Sequence, residues 1–188
     1  MKNEKSLISC PIFRDELEIV LPSDMDLNIY FMDQRIHTDA RLMFQQLKMA
    51  AAKAGDSDIS LLIGRECYCE ISIVDFAKSI NARTLQEKNC IEAILGPEKT
   101  DKLQKNRTAI HTRGWMRMIR QSISFDGIMR DTIRIMLGYF ERIVLLDYGV
   151  RPFSDEDILA YYDLLQVPIE IEQVKLDYFK DVLGRLLE

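Results

Sequence analysis

Short apolar segments alternate with helix-like segments along nearly the whole chain, and this alternation constrains the fold more than any other feature. Strand patterns cover residues 6–10, 27–32, 58–64, 82–85, 142–147 and 168–173. Helical spacing of apolar residues lies between them, for example over residues 38–54, which end at Gly55. Strands that alternate with helices form βαβ units, and such units build a mostly parallel sheet.

The predicted fold class is therefore α/β: a mostly parallel sheet of about five or six strands with helices on both faces, Rossmann-like or flavodoxin-like. Residues 58–64 are almost continuously apolar, as expected for a strand that is covered on both faces. Residues 97–141 are predicted to be a helical insertion, broken around residues 107–114. No repeat or linker divides the sequence, so residues 1–188 are predicted to form a single α/β domain.

The charge balance narrows the class of partner. Thirty acidic residues outnumber 25 basic ones, which gives a net charge of −5 and a pI near 5.2. Nucleic-acid binding usually needs a basic face, so no nucleic-acid partner is expected. No apolar run is long enough to span a membrane, and the first residues lack the apolar core of a signal peptide. We therefore expect a cytoplasmic protein without a membrane partner.

The four cysteines lie close to the predicted strand ends. Cys10 closes the first strand, Cys67 and Cys69 follow the third, and Cys90 opens a helix after the fourth. Open parallel sheets bind ligands outside the carboxyl ends of their strands. In a reducing compartment, thiols are more often used for metal binding or catalysis than for disulfides. The sequence thus predicts that thiols from remote segments converge at one site.

A metal-ligand set follows from this placement. His37 lies just after the second strand, and with Cys10, Cys67 and Cys90 it makes a Cys₃His combination, which suits zinc. Cys69 is the alternative to Cys67 as a ligand, and iron or an iron–sulfur cluster is the alternative to zinc. The competing interpretation is structural: free cysteines are often small buried apolar residues, and a histidine after a strand often lies hydrogen-bonded at the surface.

Cys90 is also a candidate catalytic residue. It follows Asn89, a plausible N-cap, so it stands first in a predicted helix. The positive end of the helix dipole and the nearby Lys88 are expected to lower the pKa of its thiol, which would make it a nucleophile or a metal ligand. The alternative is an inert cysteine that packs under the sheet.

Four further residues complete the predicted site. Asp147 ends a buried strand and is predicted to be catalytic or to contact substrate, with a turn cap as the alternative. Gly64, Arg113 and Trp115 are predicted to contact a cofactor. The sequence has no phosphate-binding loop, no dinucleotide-binding glycine motif and no serine-hydrolase elbow, so those three classes are not expected.

Taken in order, several segments resemble an uncharacterised family. They are Ile8–Cys10, Arg14–Leu17, Ile36–His37, Gly64–Cys67, Lys88–Glu92, Thr112–Trp115 and Leu145–Gly149. Their order and spacing are similar to those of the domain-of-unknown-function family DUF1638 over nearly the whole chain. Members of that family occur in methanogenic archaea and anaerobic bacteria, often encoded beside corrinoid-dependent methyltransferases. The family often has Cys-His-Pro after the third strand, where this chain has Cys67 followed by Tyr68 and Cys69.

The resemblance implies a context of anaerobic one-carbon metabolism with a metal or corrinoid connection. We therefore favour a metal-binding protein linked to corrinoid-dependent methyl transfer, whose enzymatic form would be a metal-dependent methyl or group transferase. One alternative is a non-catalytic accessory module that docks on a corrinoid protein or a methyltransferase. The other is a small-molecule enzyme with Cys90 as its nucleophile.

Overall fold

The computed structural model describes residues 4–37, 39–125 and 130–188, with the backbone alone at 123–125 and 130. Within them, seven strands form two parallel sheets. The strands are β1 (Lys5–Ser9), β2 (Asn28–Phe31), β3 (Asp58–Leu62), β4 (Arg83–Thr84), β5 (Thr108–His111), β6 (Arg142–Asp147) and β7 (Ile169–Gln173). The first sheet has the order β2-β1-β3-β4, and the second has the order β5-β6-β7.

Helices connect the strands. They are α1 (Arg14–Val20), α2 (Ala40–Ala54), α3 (Ile73–Ser79), α4 (Cys90–Leu95), α5 (Pro97–Leu103), α6 (Arg113–Phe125), α7 (Arg130–Leu137), α8 (Asp155–Leu165) and α9 (Asp177–Leu187). Two 3₁₀ turns, Pro11–Phe13 and Gln34–His37, follow β1 and β2. Every helix in the described part of the chain is too short or too polar to traverse a lipid bilayer.

The predicted α/β class with parallel strands is confirmed, and the strands are divided between two sheets of four and three. The sequence interpretation placed them in one sheet because it missed β5, which lies at the break in the predicted helical stretch 97–141. β5 has only four residues, all buried, so it carries no alternating pattern. Residues 126–129 of that stretch, and residue 38 of the predicted helix 38–54, lie outside the described residues.

The connections of the first sheet run in opposite directions from its central strand β1. From β1 the chain passes to β2 on one side and then to β3 on the other, so the strand order reverses between β1 and β3. Doubly wound sheets bind ligands at such a reversal. Cys10 directly follows β1, and Gly64 and Cys67 follow β3, so cysteines from two separate segments lie beyond the strand ends at this reversal.

Candidate metal centre

Gly64 allows the loop after β3 to lie directly on the chain that leads into α4. A Cβ atom at Gly64 would be 2.4 Å from Asn89 Cα and 2.4 Å from the Lys88 carbonyl oxygen, so only glycine fits. Asn89 in turn caps α4, because its side-chain oxygen accepts from two backbone amides of the first turn. This close approach brings the Cys67 loop beside Cys90, the first residue of α4.

Gly114 likewise allows a close approach of two backbone segments, here between the two sheets. Its Cβ would lie 2.2 Å from the carbonyl oxygen of Ile12, in the 3₁₀ turn after β1. The start of α6 therefore rests on the backbone that carries Cys10. Trp115, the next residue, comes from the second sheet's side of the molecule and contacts the thiol of Cys90 beside the first sheet.

Cys10 and His37 are in direct contact, with 3.4 Å between Sγ and Nε2. Burial raises the pKa of the Cys10 thiol well above its ordinary value, and repulsion from Cys90 adds to the effect. Burial also lowers the pKa of His37 to about 4. At neutral pH the pair is therefore a protonated thiol beside a neutral imidazole.

Cys90 is the first residue of α4 as predicted, but the expected lowering of its pKa is wrong. The thiol is buried, and loss of water raises its pKa to about 12 in spite of a hydrogen bond from Trp115 Nε1 at 3.3 Å. The ammonium group of Lys88 pairs with Glu92 at 3.9 Å instead of stabilising the Cys90 thiolate. Desolvation therefore raises the pKa of this buried thiol by more than the start of the helix lowers it.

The three predicted thiol ligands influence one another electrostatically. After burial, negative charge on Cys90, Cys67 and Glu16 adds to the raised pKa of Cys10, and charge on Cys67 and Glu16 adds to that of Cys90. Charge on Cys69 adds to the raised pKa of Cys67. In the described part of the chain, no three cysteine, histidine or acidic side chains already stand close enough together to hold an ion.

An aromatic stack supports the imidazole side of the cluster. The Trp115 ring contacts both His37, with 5.2 Å between ring centroids, and His111, at 5.7 Å and nearly parallel. His111 ends β5, and its Nδ1 lies 2.9 Å from the Tyr161 hydroxyl. Burial lowers the pKa of His111 to about 4, so this ring is also neutral. The stack links the Cys10–His37 pair to the second sheet.

Sequence reasoning missed Glu16, which lies on α1. Its carboxyl is fully buried; Oε1 accepts a hydrogen bond from the Tyr148 hydroxyl, while Oε2 has no hydrogen-bond partner. Burial raises the pKa of Glu16 to about 7. Negative charge on Glu16 adds to the raised pKa of both Cys10 and Cys90. In the sequence, the only signal was an acidic residue in the first turn of a helix behind a strand-end cysteine.

Asp147 and Arg113 are each engaged in holding loops. One oxygen of Asp147 accepts from the Gly149 amide at 2.8 Å, and the other accepts from the side-chain amide of Gln173 at 2.9 Å. Arg113 donates to the Arg151 carbonyl at 2.8 Å and lies over the Phe153 ring at 4.4 Å. These contacts stabilise the turn after β6, and the catalytic role of Asp147 and the cofactor role of Arg113 stay predictions.

Comparison with known proteins agrees with the resemblance found in the sequence. The chain belongs to the family described as protein of unknown function (DUF1638), whose model matches residues 31–183. Neither a curated protein nor a solved structure matches the chain significantly.

Proposed function

We propose that this DUF1638 protein binds a thiophilic metal ion, zinc in the first place, through Cys10, Cys67, Cys90 and His37. The observation that carries the proposal is the 3.4 Å contact between Cys10 Sγ and His37 Nε2. In a tetrahedral zinc site, bonds of about 2.3 Å to sulfur and about 2.0 Å to nitrogen put those two ligand atoms roughly 3.5 Å apart. This pair therefore already has the spacing of two ligands.

The protonation states support a metal rather than a free nucleophile. Cys90 has a pKa of about 12, so almost none of it is thiolate at neutral pH, which disfavours the alternative of a cysteine-nucleophile enzyme. A metal ion removes this obstacle because it binds the thiolate directly and displaces the proton. His37, already neutral, needs no deprotonation to become a ligand.

Closure of the Gly64–Cys69 loop would complete the site. Cys10 and Cys90 are held in the core, while Cys67 is half-buried in a loop without helix or strand structure. Movement of this loop is thus the smallest change that brings a third thiol to the Cys10–His37 pair. Cys67 is favoured over Cys69 because Cys67 already interacts electrostatically with both core thiols.

The chemistry beyond binding rests on the family resemblance alone. A zinc ion with one exchangeable position supplies an activated thiolate for methyl or group transfer. A link to corrinoid-dependent methyl transfer, with a corrinoid or an iron centre in place of zinc, stays part of this proposal.

One surface favours the second candidate function, docking on a corrinoid protein or a methyltransferase. Ile135, Met136 and Tyr139, on α7 and just after it, expose 79%, 70% and 65% of their surface. Grouped apolar side chains on a helix often mark a protein interface. The double variant Ile135→Glu, Met136→Glu should abolish binding to a purified corrinoid protein and leave metal content unchanged. Unchanged binding would exclude this surface.

The metal proposal is tested on protein purified anaerobically and analysed for metals, with an absorption spectrum to separate zinc from iron–sulfur and corrinoid centres. We expect one metal ion per chain. Cys67→Ser and Cys69→Ser form a matched pair from one loop: the first should lose the ion and the second should keep it. Protein that contains no metal, takes up no added Zn²⁺ and is not stabilised by it would refute the proposal.

A further inference from the structure

A pocket of about 470 Å³ lies beyond the carboxyl ends of β1 and β2. Its walls come from the 3₁₀ turn after β1, the start of α1, the loop after β2 and residues of α6. Small-molecule sites have volumes of about 300–1,000 Å³, and open α/β sheets bind their ligands at this edge. The four proposed metal ligands are not among the described residues that line this pocket, so a ligand can bind here without a metal ion.

Arg14, the first residue of α1, supplies the positive charge of the pocket. Its guanidinium lies over the Phe31 ring, with 4.1 Å between Cζ and the ring centroid. Within the described residues it forms no ion pair or hydrogen bond. Stacking on the ring uses the flat face of the guanidinium and leaves the N–H groups at its edge available. Such an edge binds a carboxylate or a phosphate through two parallel hydrogen bonds.

The other two charged groups of the wall neutralise each other. Arg35 Nε and Nη2 donate to the two carboxylate oxygens of Asp33, at 3.0 Å and 2.7 Å. Two arginines and one aspartate give the described wall a net charge of +1, which is that of Arg14. A carboxylate with one negative charge complements this wall, whereas a phosphate dianion would leave one charge uncompensated.

Gln34 adds an acceptor that lacks a donor. Its side chain lines the same pocket, and its Oε1 is buried without a hydrogen-bond partner in the described part of the chain. An unpaired buried acceptor costs folding free energy, and a donor on a ligand would satisfy it. The residue is half-buried, so a small rotation of the side chain brings this oxygen to such a donor. Pro11 and Met32 are buried and give the wall an apolar part.

The geometry points to a binding site for a small monocarboxylic acid that also carries a hydrogen-bond donor. Arg14 binds the carboxylate with the edge of its guanidinium, and Gln34 accepts from the donor. The apolar part of the ligand packs on Pro11 and Met32. This site is additional to the proposed metal binding and does not rest on it.

The test uses isothermal titration calorimetry with three probes of one skeleton. Mandelate has both a carboxylate and a hydroxyl, phenylacetate lacks the hydroxyl, and 1-phenyl-1,2-ethanediol lacks the carboxylate. Mandelate should bind, phenylacetate should bind about 5-fold more weakly or less, and the diol at least about 10-fold more weakly. No binding of mandelate, equal binding of mandelate and the diol, or tighter binding of inorganic phosphate would overturn the inference.

Two variants assign the contacts to residues. Arg14→Gln should weaken mandelate binding at least about 10-fold, because a hydrogen-bonded charge pair is lost. Arg14 is exposed, so this variant should fold, and Arg41→Gln, at an exposed arginine on α2, is the matched control that should bind as wild type. Unchanged binding by Arg14→Gln would contradict the site.

Gln34→Leu should remove the preference for mandelate over phenylacetate, since the acceptor for the hydroxyl is gone. A preference that persists in this variant would contradict the role of Gln34. If the variant does not fold, the wild-type preference itself decides: equal affinities for the two acids would overturn the donor contact. Metal analysis of the same samples reports on the proposed function separately.

Discussion

Trp115 Nε1 donates a hydrogen bond to Cys90 Sγ at 3.3 Å, and this contact joins the side of the second sheet to a thiol beside the first. The indole ring also contacts two neutral imidazoles, those of His37 and His111. A single side chain thus touches both the sulfur and the nitrogen parts of the candidate metal centre.

Trp115→Phe should weaken zinc binding by about 10–100-fold, the usual effect of removing a hydrogen bond to a metal ligand. The reason is that this hydrogen bond lowers the pKa of Cys90, so its loss makes the thiolate harder to form. Competition with a chelating indicator measures the affinity. Tyr162→Phe, at a half-exposed aromatic on α8, is the control, and equal affinities in all three proteins would show that the contact does not act on the metal.

Gly64→Ala should destabilise the fold by about 2–3 kcal/mol and abolish metal binding, because the new methyl group would push the β3 loop off the start of α4. Urea unfolding measures the loss. Gly184→Ala is the matched control on α9: its Cβ would meet nothing within 4 Å, so stability should rise by up to about 1 kcal/mol. Similar stabilities for the two variants would mean that the close approach at Gly64 is not required.

The pH dependence of stability should differ between wild type and Glu16→Gln. Burial raises the pKa of Glu16 from 4.5 to about 7, so the folded state holds a proton that the unfolded chain releases. Its contribution is present below about pH 4.5 and is lost as pH rises through 7. The unfolding free energy of wild type should therefore fall by about 3 kcal/mol relative to the variant over this range and stay level above it. A constant difference would mean that Glu16 ionises normally.

His111 should make the protein sensitive to acid. Burial lowers its pKa from 6.5 to about 4, so its contribution is present above about pH 6.5 and is lost as pH falls to 4. Relative to His111→Gln, wild type should lose about 3 kcal/mol of stability over that interval. Denaturant unfolding at several pH values measures this, and parallel curves for the two proteins would contradict the burial of a neutral ring.

Strands β1, β2 and β3 of the first sheet could be predicted because each contains apolar residues and is followed by a break in the pattern. The same patterns placed Cys10, Cys67 and Cys90 near strand ends, and in the structure Cys10 directly follows β1, Cys67 lies in the loop after β3 and Cys90 begins α4. β5 could not be found this way, since four buried residues between two helices carry no period. Because β5 was not predicted, the division of the strands into two sheets was not predicted either.

The missed parts of the site depend on contacts between distant segments. Glu16 and Tyr148 are 132 positions apart, and nothing in either local sequence reveals their hydrogen bond. The prediction that Cys90 has a lowered pKa was wrong for a related reason. A helix start is a local feature, whereas the burial that determines this pKa comes from the packing of the whole fold.

X-ray absorption at the zinc edge of the loaded, anaerobically prepared protein tests the central claim most directly. A site made of Cys10, Cys67, Cys90 and His37 predicts three sulfur neighbours at about 2.3 Å and one nitrogen at about 2.0 Å from the ion. A shell of only oxygen and nitrogen atoms would contradict the account, because the thiols would then have no part in binding the metal.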